Sequence, residues 1–101
     1  MATKYRSRAE IIASILYAIQ QGGDDITRTK LMYKTLLSYT QFKEYAEMLI
    51  GNGLIEYEKL DKRFRITEQG IAFLKSWEQI EQMIPTAKPR YNRNYDNISI
   101  L

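Results

Sequence analysis

The chain has 101 residues, which suits one domain, and its 45% hydrophobic and 27% charged residues are ordinary values for a soluble globular protein. It contains no cysteine and no histidine, which excludes disulfides and thiolate metal sites and removes the commonest general base. We therefore expect no enzymatic activity, no metal and no other cofactor. No apolar run approaches the ~20 residues of a membrane span, so the chain is expected in the cytoplasm without a membrane partner.

The formal net charge of +3 is distributed unevenly along the chain. Residues 1–43 hold seven Lys and Arg against three acids, and residues 59–65 hold four against one. Residues 68–84 hold one lysine against three glutamates. This asymmetry favours one face for a polyanion and another for a partner protein, although random clustering on a solvated surface would look similar.

The first predicted helix covers about residues 7–21. Ser7 and Glu10 have the spacing of a capping box, in which each side chain accepts a hydrogen bond from the other's backbone N–H. Gly22 and Gly23 end the helix. One broad apolar face is formed by Ile11, Ile12, Ile15, Leu16 and Ile19.

A second, shorter helix is predicted over residues 28–35, with Thr27 as its N-cap. Ile26, just before this helix, is a candidate for a brief strand pairing. A tight turn through Leu36 and Leu37 then leads into a third helix.

Ser38 and Gln41 form a second capping box at the start of the third helix. Gly51 and Gly53 end this helix, with Gly53 in the left-handed conformation that glycine adopts without steric cost. The predicted inward face consists of Phe42, Tyr45, Ala46, Leu49 and Ile50. The predicted outward face consists of Thr40, Gln41, Lys43, Glu44 and Glu47.

Alternating apolar and polar residues predict two antiparallel strands, 54–58 and 63–67, joined by a polar tip at 59–62. Thr67 then caps a fourth helix that extends to about residue 84, where Pro85 ends it. The remaining residues, 85–101, show no helical period and are predicted to form a flexible tail. The folded domain is thus expected to cover residues 1–84.

This order of elements predicts a mainly α protein with a small β-hairpin: a winged helix-turn-helix. In such a domain the second helix of the pair presents polar side chains near its N-terminus to the major groove, and a basic wing lies on the DNA backbone or in the minor groove. Arg6 and Arg8 are expected to add phosphate contacts. The predicted DNA-binding residues are Arg28, Lys30, Lys34, Tyr39, Thr40, Gln41, Lys43, Lys59, Lys62, Arg63 and Arg65.

The last helix carries an apolar seam beside its core-facing residues Ile71 and Leu74. Its members recur at spacings of three and four residues, and a domain of this size has little room to bury them. The seam predicts a homodimer interface, and the alternative is that the last helix folds back onto the first helix. The seam consists of Phe73, Trp77, Ile80, Met83 and Ile84.

The segments "TKLMY" (29–33), "LSY" (37–39), "GLIE" (53–56) and "RITEQGIAFL" (65–74) resemble archaeal winged helix-turn-helix DNA-binding proteins. These include a small chromatin-associated type with a C-terminal coiled coil and the ArnR-like regulators. The resemblance covers about residues 7–84. It implies binding of double-stranded DNA, with dimerisation through the last helix.

Two departures from that group bear on the expected role. The last helix stops at Pro85, which makes any coiled coil short, and the leading turn of the third helix is less basic than in chromatin-type members. We therefore expect a cytoplasmic, nucleoid-associated homodimer that regulates transcription. The alternatives are a sequence-nonspecific chromatin protein and a protein-interaction adaptor that does not bind DNA.

Overall fold

A computed structural model of the chain describes residues 6–23 and 25–83. In chain order its elements are α1 (Arg8–Gln21), α2 (Arg28–Thr35), α3 (Tyr39–Gly51), β1 (Ile55–Glu58), β2 (Arg63–Ile66) and α4 (Glu68–Met83). This order confirms the predicted mainly α fold with one hairpin. The predicted tail and Ile84 lie outside the described residues. None of the described helices is both long enough and apolar enough to cross a membrane.

Both predicted capping boxes are present. The Ser7 hydroxyl accepts from the Glu10 N–H at 3.1 Å, and Glu10 Oε1 accepts from the Ser7 N–H at 2.8 Å. Ser38 and Gln41 make the same pair of bonds at 3.2 and 3.1 Å. These bonds use backbone donors that an uncapped first turn would leave without a partner, and this explains where α1 and α3 begin.

The turn between α2 and α3 is made by a leucine in an unusual conformation. Leu36 has φ 59°, in the left-handed region, and its N–H donates to the Met32 carbonyl. Leu37 follows and is buried in the core. The end of α2 is completed by Arg6, whose Nη2 donates to the Thr35 carbonyl at 2.9 Å. The sequence predicts Arg6 near phosphate, whereas here it satisfies a helix C-terminus.

The hairpin is attached to the helices through Phe64. Its N–H donates to the Ile26 carbonyl at 2.9 Å, which confirms the brief pairing predicted for Ile26. The Phe64 ring meets Phe42 of α3 edge-on at 5.6 Å and Tyr57 of β1 at 4.7 Å. The buried core around this point comprises Ile15, Leu16, Ile19, Ile26, Leu31, Phe42, Leu49, Ile55 and Leu74.

The inward face of α3 differs from the prediction at one position. Phe42, Ala46 and Leu49 are buried as expected, but Ile50 is 42% exposed. The prediction for Ile50 was wrong because this residue borders an open cleft beside the hairpin, a tertiary feature that helical periodicity does not contain. Met48 packs against the core instead.

The start of α4 lies against the base of the hairpin. The Thr67 hydroxyl accepts from the Gly70 N–H at 3.0 Å, as a cap does, and donates to the Gly53 carbonyl at 2.6 Å. Gly53 has the predicted left-handed φ, at 76°. A Cβ at Gly70 would lie 2.6 Å from Ile66 Cγ1 and closer still to the Leu54 carbonyl oxygen. Only glycine allows this approach.

The predicted seam of α4 is divided between two environments. Phe73 and Trp77 are half-buried and pack against the domain core, as the fold-back alternative requires. Farther along the helix, Ile80 is 49% exposed and Met83 is 78% exposed. The exposed part of the predicted seam is therefore the C-terminal part of the described helix.

We predict different effects on stability for two glycine-to-alanine substitutions. Gly70→Ala should lower the free energy of unfolding by about 2–3 kcal/mol, because the methyl group must displace either the Leu54 backbone or the Ile66 side chain. Gly51→Ala is the matched control, since the residue is helical and nothing lies within 4 Å of the place its methyl group would take. It should be neutral or stabilise by up to about 1 kcal/mol. Urea denaturation measures both, and equal effects would contradict the close approach at Gly70.

Candidate nucleic-acid interface

The leading end of α3 presents polar side chains to solvent. Tyr39, Thr40, Gln41 and Lys43 are exposed, while the opposite side of the helix is held by Phe42 and the rest of the core. The N-terminus of a helix also carries the positive end of its dipole, which favours a negatively charged partner. The leading end of α3 is therefore polar, exposed and favourable to an anion.

Gln41 already has a structural role in this surface. Its Oε1 accepts from the Ser38 N–H, so the amide oxygen is engaged before any ligand binds. A bidentate contact with adenine uses both the oxygen and the nitrogen of a glutamine amide. The oxygen would then have to accept from the base with its second lone pair or give up the capping bond. Within residues 6–23 and 25–83, the side chains of Thr40 and Lys43 have no such bond.

The cations of α2 flank the same end of α3. Arg28, Lys30 and Lys34 are exposed. The Arg28 guanidinium lies 5.3 Å from the centre of the Tyr39 ring, a cation–π contact that ties the beginning of α2 to the beginning of α3. Arg8 stacks over Tyr45 in the same way, also at 5.3 Å, so it stabilises the α1–α3 packing rather than standing free for a phosphate.

The cations on the hairpin strands face carboxylates. Glu56 is opposite Arg65 and Glu58 is opposite Arg63 in the register. Arg65 Nη1 lies 4.0 Å from Glu58 Oε1, and Arg63 Nε lies 2.9 Å from Asp25 Oδ1. Exposed ion pairs of this kind contribute about 0–1 kcal/mol, so either arginine can exchange its carboxylate for a phosphate, but neither begins as an unpaired charge.

The two lysines of the hairpin tip differ from the strand arginines. Lys59 and Lys62 are exposed, and the part of the chain that the structure describes offers their side chains no ion pair. Lys62 takes the left-handed conformation that closes the tip, with φ 56°. The free positive charge of the wing is therefore concentrated at its tip, which the sequence-based prediction of four equivalent cations does not distinguish.

An open cleft of about 560 Å³ is lined by residues of α3, the beginning of α2 and the hairpin. It brings together five of the predicted site residues, namely Arg28, Tyr39, Lys43, Lys62 and Arg63. The other predicted residues, Lys30, Lys34, Thr40, Gln41, Lys59 and Arg65, are exposed but do not line it.

Two lining residues, Ile50 and Tyr57, are apolar or aromatic surface that the sequence patterns did not assign to the site. The position of Tyr57 could have been predicted from the sequence. Strand alternation places it on the same face of the hairpin as Ile55. Glu47 and Asp61 also line the cleft and reduce its positive charge. Among the described residues, no three acidic side chains are grouped so that they could hold a metal ion.

Comparison with known proteins agrees with the fold. The winged helix-turn-helix family matches residues 5–85. The uncharacterized protein MJ0287 of Methanocaldococcus jannaschii is 32% identical over 84 residues, which cover 83% of this chain and 81% of that protein. The crystal structure of Sso10a-2, a DNA-binding protein from Sulfolobus solfataricus, superposes with a TM-score of 0.62 at 24% identity, covering 82% of this chain and 90% of that one. The resemblance stated from the sequence is confirmed, and the chain belongs to the winged helix-turn-helix family.

Proposed function

We propose that the protein binds double-stranded DNA, with the leading end of α3 in the major groove and the hairpin on the flanking backbone or minor groove. The observation that carries this proposal is the arrangement around α3. Its polar N-terminal end is exposed, and Arg28 of α2 and Lys62 of the hairpin tip line the same cleft beside it. The fold shared with Sso10a-2, which is described as DNA-binding, supports the same function.

The proposal assigns separate tasks to two groups of residues: contacts to phosphates position the protein on the duplex, and contacts to base edges recognise the sequence. The B-DNA major groove is about 12 Å wide and admits one helix, and the α2 and hairpin cations would then neutralise phosphates on either side of it. Thr40 and Lys43 are the side chains of α3 best placed to reach base edges. Glu44 and Glu47 repel phosphate, so contact is confined to the first turns of the helix.

We further propose that two copies associate through the exposed end of α4. Ile80 and Met83 are large apolar side chains at 49% and 78% exposure, and they continue the seam that Phe73 and Trp77 begin. Two-fold pairing would bury them and would present two recognition helices to successive major grooves, roughly 34 Å apart. A regulator of transcription acting as a homodimer is the role that this arrangement supports best.

We predict that cations of the interface contribute to the salt dependence of duplex binding, whereas a cation of α4 does not. Lys43→Ala and Lys59→Ala should each reduce the slope of log K against log salt by about 0.9, the value for one phosphate contact on B-DNA. Lys75→Ala removes the same charge from an exposed position on α4 and is the matched control. Fluorescence anisotropy over a salt series measures the slopes. Equal slopes for all three variants would contradict the proposed surface.

Asp25 provides a test in the opposite direction. Asp25→Asn keeps the size of the side chain but removes the charge that pairs with Arg63. If Arg63 contacts phosphate, this variant should bind duplex a few-fold more tightly in the same assay, because one cation is released and one repulsive charge is lost. Unchanged or weaker binding would remove Arg63 from the interface.

Sequence selectivity can be tested by selecting bound fragments from a random duplex pool. A regulator predicts an enriched motif, a chromatin protein predicts binding without enrichment, and an adaptor predicts no binding at physiological salt. Gln41→Ala would remove a possible base contact and the helix cap at the same time, so its effect could not be assigned to either. Gln41→Glu is the better variant. It retains the capping box, since glutamate serves that position in α1, but replaces the amide donor with a carboxylate. A changed motif would assign Gln41 to base reading.

The dimer is tested by charge placement on α4. Ile80→Glu with Met83→Glu should convert a dimer to a monomer in sedimentation, because four carboxylates would be buried at a two-fold contact. Gln79→Glu with Gln82→Glu adds the same charge to exposed neighbouring positions and should leave the dimer intact. These variants are preferable to Trp77→Glu, because Trp77 packs against the core and its loss would also destabilise the domain. A monomeric wild type would refute the interface.

A further inference from the structure

The hairpin tip carries an apolar side chain that the proposed DNA-binding surface does not use. Leu60 is 90% exposed, the highest exposure among the large hydrophobic residues of the described chain. A single exposed leucine is common on protein surfaces and indicates nothing by itself. Its place is informative, since it sits between Lys59 and Lys62, the wing cations without an ionic partner among residues 6–23 and 25–83.

The tip that presents Leu60 is held by interactions on both sides. Arg63 Nη1 donates to the Asp61 carbonyl at 3.0 Å, while Nε of the same guanidinium pairs with Asp25. The next residue, Phe64, is bonded to Ile26 and buried against α3. Leu60 therefore projects from a loop whose base is fixed to the core, and little ordering is required before it makes contact.

We propose that Leu60 inserts between base pairs from the minor groove and kinks the duplex, with Lys59 and Lys62 placed on the phosphates at either side. The minor groove is about 6 Å wide, which is too narrow for a helix but admits side chains that project from a hairpin tip. Apolar side chains inserted there partly unstack a base step and bend DNA toward the major groove. The inference rests on the proposed DNA binding and adds a contact that neither cations nor hydrogen-bonding groups supply.

The charge of the tip is consistent with an apolar contribution. Asp61 offsets one of the two lysines, so the four tip residues carry one net positive charge. Asp61 thus makes the phosphate attraction of the tip weaker than that of two lysines alone. A leucine that leaves water on binding adds affinity that does not depend on salt. The contact should favour flexible pyrimidine–purine steps such as TA, which unstack most easily.

The experiment uses the full chain and a duplex of about 20 base pairs, roughly two helical turns, with a central TA step. Donor and acceptor dyes at the two ends report bending, and 2-aminopurine at the central step reports unstacking. Wild type should raise energy transfer and 2-aminopurine fluorescence. Leu60→Ala should bind about tenfold more weakly, lose both signals and keep the wild-type salt slope, because no charge is removed.

Two variants of the same loop separate insertion from charge. Leu60→Met retains an apolar side chain of similar volume and should retain the bend. Lys59→Ala should lower the salt slope but keep the bend once the duplex is saturated. Leu60 is exposed, so Leu60→Ala should unfold at the wild-type urea midpoint, which excludes loss of fold as the cause.

The outcomes distinguish this inference from the function on which it rests. If wild type binds the duplex but Leu60→Ala binds and bends it equally well, the insertion is refuted and DNA binding stands. Weaker binding by Leu60→Ala with the bend retained, or wild-type binding without bending and unstacking, also refutes it. If wild type binds no duplex at any salt concentration, the proposed function itself fails.

Discussion

The position of Phe64 is the constraint on which the rest of this structure depends. Its backbone is bonded to Ile26, its ring contacts Phe42 of α3 and Tyr57 of β1, and only 5% of its surface is exposed. One residue therefore joins the hairpin, the segment before α2 and α3. A close-packed core deforms little. The distance between the N-terminal end of α3 and the hairpin tip is therefore fixed by packing within the domain and does not depend on a ligand.

The surface charges are organised by the same packing. The strand arginines of the wing face carboxylates, Arg6 completes the end of α2, and Arg8 and Arg28 lie over tyrosine rings. Every described arginine thus has an intramolecular partner, whereas the side chains of the six described lysines have none. These lysines lie on α2, at the beginning of α3, at the hairpin tip and on α4. A count of basic residues would therefore overstate the number of phosphate contacts. An arginine that must leave a carboxylate to bind a phosphate adds less affinity than a cation that had no partner before.

Local signals in the sequence predicted the elements well, because their causes are local. Capping boxes, glycine stops and strand alternation depend on residues three or four apart, and they place every described helix and strand to within a residue or two. Long-range contacts were not predictable in this way. The pairing of Arg63 with Asp25, the stacking of Arg28 on Tyr39 and the exposure of Ile50 follow from how separate elements meet. The half-burial of Trp77 against the core has the same origin.

Gln41 has two roles that compete: its amide caps α3 and stabilises the helix, and the same amide is a candidate for contact with a base. If the amide turns toward a base, the Ser38 N–H loses its acceptor, and the first turn of α3 loses half of its capping box. Base recognition through this residue would then be accompanied by faster amide hydrogen exchange at Ser38 in the complex than in the free protein. A contact between Gln41 and a base would thus add sequence discrimination and make the first turn of α3 less ordered. The buried remainder of the helix would stay unchanged.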